Sequence, residues 1–398
     1  MGSSRCGYLS ADTSIEYKLK TLFNEEITII NNGEKSFQEE NGEIIFSNII
    51  EKKQKILNNF KLTSLSKRAE ILDFAVEQIE KLLKNVIKHE EQGYALFYYE
   101  NGKTVEEVRG KESINKENLI TFDSCFRLAS VTKQFIAFGI VKLINDGLLD
   151  YSTNVLEIFP MLPKYFKSIT IKHLLNHTSG IYDYEDMKHD ENGAQLQDDD
   201  IITFLKTTSK TYFEVGSTYK YSNTAYILLG LIIKEISKKS IGEYLDEIIF
   251  KKAGMNNSCV NYEGITDIKN RAYGHILKDG KLVEKDQYWC SATIGDGGIY
   301  SNVNDLKKWV KFLVKTQEFN SMRQRNYVSA TSYNEYGEGI RNIDVLDKEV
   351  FYHCGETIGT NTLVLFSLDF NICLIFLTNL NGVDTSIIKD NLVNYLKG

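Results

Sequence analysis

The sequence predicts an α+β fold: an antiparallel sheet flanked by helices, drawn from both ends of the main body, with a mostly helical lobe inserted between. Three observations carry this. Two runs of strand-forming residues, 93–99 and 104–108, meet across Asn101-Gly102, a dipeptide suited to a tight hairpin turn. Four further strand-like runs, 336–340, 349–353, 360–366 and 371–378, lie near the other end. The residues between them show mainly helical spacing, so the two groups of strands can pair only by bracketing that middle.

Taken in order, residues 1 to about 22 read as a poorly structured start, followed by short strands at 27–30 and 43–46. From 64 to 86, Leu65, Ala69, Leu72, Ala75, Val76, Ile79, Leu82 and Leu83 hold an amphipathic helical period. Residues 1–90 therefore form an N-terminal α+β extension, and 91–398 the main domain. The extension serves as a brace on that domain or as a surface for a second copy. After the hairpin, a helix is expected over 130–145. Its buried face is Phe135, Ile136, Ile140, Val141, Leu143 and Ile144. Helices are also expected at 169–175, 201–205, 222–237 and 241–252. Another follows the glycine turn Gly295-Asp296-Gly297-Gly298, at 304–314, and a closing helix covers 384–396.

The chain has 398 residues, 42% hydrophobic and 25% charged, enough for a large core. A net charge of −7 with no basic block argues against nucleic acid as a partner. No apolar run reaches the ~18 residues of a membrane span. The start lacks the pattern of a secretory signal, and the six cysteines are scattered without a Cys-x-x-Cys pair. Reduced thiols and a cytoplasmic location are the expectation.

Ser130 lies at the start of a predicted helix, beside free N–H groups and the positive end of the helix dipole. Lys133, one turn on, acts as a base where apolar neighbours desolvate it. Five Ser-x-x-Lys strings occur, at Ser64, Ser113, Ser130, Ser217 and Ser386, and any one alone is equally an N-cap with a solvated lysine. Tyr221-Ser222-Asn223 precedes an apolar helix, and an extended Tyr-x-Asn projects phenol and amide to one side. Tyr-x-Asn also occurs at Tyr99 and Tyr300. His353-Cys354-Gly355, the one His-x-Gly in the chain, is expected to end an edge strand.

Together, Phe126–Gln134 resembles the nucleophile segment of the serine β-lactamase-like superfamily. The nearest resemblance is to the branch of class C β-lactamases, DD-peptidases, esterases and D-aminopeptidases. Four more segments agree in order: 169–181, 219–230, 295–309 and 353–359. The resemblance runs from about Gln92 onward and implies the β-lactamase/transpeptidase-like fold. It implies Ser130 as acylated nucleophile, with Lys133 and Tyr221 as a coupled base. Asn223 would bind Lys133 and the substrate amide, and His353 would bind Tyr221 or a substrate carboxylate. The backbone N–H groups of Ser130 and Glu356 would form the oxyanion hole beside Gly355. The implied activity is a serine hydrolase acting on a small amide or ester. Esterase or D-amino-acid-directed peptidase ranks above β-lactamase; the alternative is a slow or silent binding or assembly protein.

Two departures matter. His353 stands where many relatives carry a lysine, which removes a permanent cation. Glu356 and Asp296 add negative charge, which favours an amine-bearing substrate. Other candidates read blandly. His173 and His177 have zinc-like i, i+4 spacing but lack the intervening glutamate, so no metal is expected. Asp198-Asp199-Asp200 reads as a helix start with dipole-favoured acids. No Walker A or dinucleotide fingerprint occurs, so no cofactor is expected.

Overall fold

The computed structural model describes residues 15–20, 26–31, 38–40, 43–45, 77–79, 81–89, 91–187, 193–329, 332–345 and 348–397. One sheet of ten strands runs through it. In chain order these are β1 Ile15–Lys20, β2 Glu26–Asn31, β3 Gln38–Glu40, β4 Glu43–Ile45, β5 Tyr94–Glu100 and β6 Lys103–Arg109. They continue with β7 Arg341–Val345, β8 Lys348–Thr357, β9 Thr360–Ser367 and β10 Ile372–Thr378. The spatial order is β7-β8-β9-β10-β5-β6-β1-β2-β4-β3. β10 pairs antiparallel with β5, Phe97 opposite Ile375, so the early hairpin and the late strands do bracket the middle. At the hairpin turn Asn101 and Gly102 both have positive φ, 47° and 88°.

Side chains of β5 alternate between two cores, as the period of a strand dictates. Ala95 and Phe97 face the helical lobe, whereas Tyr94, Leu96 and Tyr98 face a second core with Leu82, Leu83, Val86, Ile388 and Leu392. The sheet is thus covered on both sides, which is why β10 is apolar at almost every position.

The lobe is built on helices α1 Thr132–Asn145, α2 Ile171–Leu175, α3 Asp198–Thr207, α4 Asn223–Ser237 and α5 Val303–Leu313; α6 Ser386–Lys397 closes the chain. Trp309 of α5 stacks on Phe135 of α1 at 4.4 Å, and its indole N–H donates to Gln134 Oε1 at 2.9 Å. Among the described residues no helix is long and apolar enough to cross a membrane.

Several expectations change. Residues 15–20 are a strand, β1, paired with β6, not an unstructured start. Of the helix expected over 64–86, only Glu77 to Val86 falls among the described residues, apart from position 80, and its last four residues form turns. The helix expected over 241–252 contains a wider π turn at Asp246–Phe250. Residues 336–340 are a turn rather than a strand, with a single bridge from Tyr336 to Arg341. Gly339 has φ +72°, and a Cβ there would lie 2.4 Å from the Lys133 carbonyl oxygen. The real strand begins after it. β8 is flanked by β7 only over Lys348–Tyr352; from His353 on it pairs with β9 alone, and the strand runs past Gly355 to Thr357.

Candidate active site

Ser130 sits on a short 3₁₀ turn, Ala129–Val131, that feeds α1. The preceding strand Phe126–Arg127 is pinned to Ile299–Ser301, and the Arg127 guanidinium donates to the carbonyls of Ser291 (2.8 Å) and Gly297 (3.2 Å). Ala129 takes a left-handed φ of 48°, uncommon for a residue with a Cβ. Two neighbours hold it there. Thr362 of β9 donates to Leu128 O at 2.8 Å, and Gly355 of β8 lies so close that a Cβ would sit 2.1 Å from that oxygen. Glycine in His-x-Gly is therefore a packing requirement of the Ser130 turn.

Lys133, one turn into α1, is fully buried. Its Nζ donates to Ser130 Oγ (3.0 Å), Asn223 Oδ1 (2.7 Å) and the Asp296 carbonyl (2.9 Å). Three acceptors around one nitrogen fix its position completely. Asn223 is the first residue of α4, whose start is capped by Ser222 Oγ on Ala225 N–H. The Asp183 carboxylate also accepts Asn223 N–H (2.6 Å) and Thr224 N–H (3.3 Å). Tyr221, two residues earlier, places its ring centroid 5.0 Å from Lys133 Nζ.

A cavity of about 360 Å³ opens over these groups, lined by Ser130, Tyr221, Arg341, His353, Cys354, Gly355, Glu356 and Asn361, then by residues 382–386. Ser130, Tyr221, His353, Gly355 and Glu356 thus border one space, and Lys133 and Asn223 stand behind it, joined to Ser130 through the Lys133 hydrogen bonds. His353 does not bind Tyr221: their ring centroids are 6.3 Å apart, and His353 Nε2 lies 3.0 Å from Tyr336 Oη. Its Nδ1 lies 2.7 Å from Cys354 O, a distance at which only an N–H can face a carbonyl, so Nε2 accepts from the phenol. Burial, then the charges of Arg341 and Lys133, pulls His353 down to about 3. It is a neutral wall, not a cation.

Residues outside the sequence expectations complete the surroundings. Arg341, the first residue of β7, opposes Tyr352 and lines the cavity with Ser130. Its position was hidden by the misplaced strand at 336–340. Glu185 accepts a hydrogen bond from the Asn223 side chain. The residue is exposed, yet its carboxyl is pushed up to about 7 by its own partial burial and then by Asp183 and Asp296. Of the two carboxylates expected at the cleft, Glu356 borders the cavity; Asp296 is buried and accepts from Tyr184 Oη at 2.8 Å.

Asp198 is more than a helix-start acid. It accepts the N–H groups of Ile294 (2.7 Å) and Gly295 (3.3 Å), tying α3 to the glycine turn, and burial with nearby Asp296 pushes it up to about 7. His173 caps the start of α2 through Thr170, and His177 is buried behind Tyr221. Among the described residues no group of three or more His, Cys, Asp or Glu is placed to hold a metal ion.

The chain is 28% identical over 292 residues to Penicillin-binding protein 4* of Bacillus subtilis (strain 168), covering 68% of this chain and 64% of that protein. It is 25% identical over 325 residues to Protein flp of Staphylococcus aureus (strain N315), covering 77% and 63%. The chain thus spans a little under two thirds of the length of these relatives. In fold it resembles the D-amino acid amidase of Ochrobactrum anthropi SV3, with TM-score 0.68, 22% identity, and 81% and 98% of the two chains covered. The Beta-lactamase family model matches residues 75–395, a span that takes in every group around the cavity. With the Ser130 turn, the buried Lys133 and the cavity-lining strands β7, β8 and β9 all inside that span, the chain belongs to the Beta-lactamase family.

Proposed function

We propose that the protein is a serine hydrolase that works through an acyl-enzyme on a small amide or ester. The observation that carries this is the Ser130 Oγ–Lys133 Nζ contact of 3.0 Å at the floor of an open cavity. Ser130 Oγ attacks the substrate carbonyl, and its proton passes to the Lys133–Tyr221 pair. The oxyanion is received by the backbone N–H groups of Ser130 and Glu356, which border the cavity. The carbonyl–nitrogen or carbonyl–oxygen bond then breaks, and the same pair returns the proton to the leaving group. Water reverses the sequence and frees Ser130.

Arg341 supplies the cation that His353 does not, so a substrate with a carboxylate beside the scissile bond suits this cavity better than one bearing an amine. The name of the amidase that shares the fold supports amide substrates, and that of the Bacillus relative supports penicillin-like ones.

The test is intact mass after separate exposure to a fluorophosphonate, a penicillin and a nitrophenyl ester, with ester turnover followed by absorbance. Fluorophosphonate labelling that disappears in Ser130→Ala is the expected result. A persistent penicillin adduct would indicate trapping, and rapid return to the free mass turnover. Labelling that survives in Ser130→Ala removes Ser130 from the proposal, and no adduct with any probe leaves a silent scaffold. Pairs of esters with and without a carboxylate test Arg341: Arg341→Gln should raise KM by about tenfold for the carboxylate ester alone.

A further inference from the structure

The segment 211–222 that delivers Tyr221 to the cavity contains no helix or strand, so something outside it must set the direction of the phenol. Residues 177–180 run alongside it: Gly216 N–H donates to Thr178 O (2.9 Å) and Tyr212 N–H to Gly180 O (2.7 Å). His177 makes the contacts nearest the site. Its carbonyl accepts Lys220 N–H at 3.0 Å, and its Nδ1 accepts Ser222 N–H at 3.0 Å. One residue therefore grips the backbone on both sides of Tyr221. Its ring also packs on the Tyr221 ring, centroids 4.4 Å apart and planes 33° apart.

Holding this arrangement carries two costs in the local structure. His177 has φ +57°, a left-handed conformation unusual for a residue with a side chain this large. With Nδ1 acting as acceptor the ring proton is on Nε2, and that nitrogen is buried with no hydrogen-bond partner among the rings of Tyr219, Tyr226 and Tyr336. Phenylalanine would fill the same volume without the orphaned Nε2–H, but would leave Ser222 N–H without its acceptor.

We propose that His177 is a positioning residue that aims the Tyr221 phenol at the Ser130–Lys133 pair, by clamping Lys220 and Ser222 and stacking on the ring between them. The inference rests on the hydrolase reading above. His177 touches neither Ser130 nor Lys133 in the hydrogen-bond network, so its effect must pass through Tyr221.

The experiment is a double-mutant cycle in the full chain: wild type, His177→Phe, Tyr221→Phe and the double variant, with His177→Asn as a milder change. Asparagine tolerates positive φ and keeps an acceptor oxygen. Melting curves verify folding, and the rate of fluorophosphonate labelling and the ester kcat and KM are the readouts. His177→Phe is expected to slow labelling about 100-fold with KM changed by less than about threefold, as loss of aim rather than of binding requires. His177→Asn should retain part of the rate. In the Tyr221→Phe background, His177→Phe should cost little more, because the group it aims is already gone. Equal losses in both backgrounds, or no loss in either His177 variant, would overturn the inference. If His177→Phe fails to fold, the same cycle with His177→Asn decides. An unlabelled wild-type protein would instead defeat the hydrolase reading, and the inference with it.

Discussion

Asp198 and His353 are both sealed from solvent, and burial moves them in opposite directions on the pH scale: Asp198 up to about 7, His353 down to about 3. Between pH 4 and 7 the unfolded chain ionises Asp198 while the folded one keeps its proton, so this group removes stability as pH rises. Between pH 6.5 and 3 the unfolded chain protonates His353 while the folded one does not, so that group removes stability as pH falls. The two slopes oppose each other over most of their ranges, and the wild-type profile hides both. Single variants should expose them. Relative to wild type, Asp198→Asn should gain stability as pH climbs from 4 to 7, by roughly 3 kcal/mol at most. His353→Gln should gain as pH falls from 6.5 towards 3. Thermal melts across pH read both, and parallel curves for wild type and variants would refute the assignments.

Elements explain why some of this was legible and some was not. The hairpin declares itself locally, because Asn101-Gly102 supplies both left-handed residues its turn needs. The Ser130–Lys133 and Tyr221–Asn223 pairs are legible for the same reason: each lies within a few residues at a helix start. Strand β7 was misplaced because 336–340 has the alternation of a strand, while Gly337 and Gly339 answer to distant contacts on the Met322 and Lys133 carbonyls. With that strand went Arg341, which no local pattern marks. Glu185 and Asp183 escaped notice likewise, since their work is done on α4, some forty residues away. Gly355 makes the element-level prediction. Gly355→Ala forces β8 off the Leu128 carbonyl, so it should cost about 1–3 kcal/mol in stability. Fluorophosphonate labelling should drop by more than that loss accounts for, because Ser130 moves with the turn. Unchanged labelling would show that β8 does not set the nucleophile.

For the whole molecule, the sheet is continuous from β7 beside the cavity to β1–β4, and the N-terminal strands join through β1 on β6 at Glu16–Val108, Tyr17–Glu107 and Lys18–Glu106. Residues 82, 83 and 86 pack in the core beneath α6. Removing residues 1–76 leaves that core intact but bares the β6 edge. The truncated protein should melt several degrees lower and still be labelled at Ser130, behaving as a body that has lost a brace. An unchanged melting temperature with a lost oligomer would make the segment an assembly element instead.

The pairing of β5 with β10 also fixes an order of events during synthesis. Phe97 leaves the ribosome well before its partner Ile375, which comes only after the whole helical lobe has been made. Until then β5 has an open flank, and before β8 and β9 are made the Ser130 turn lacks the Gly355 and Thr362 contacts that hold it. Chains that stop before β8 and β9 therefore carry the Ser130 turn in an unset form. An arrested nascent chain stopped before β10 should be sticky and inert, needing a chaperone more than a substrate.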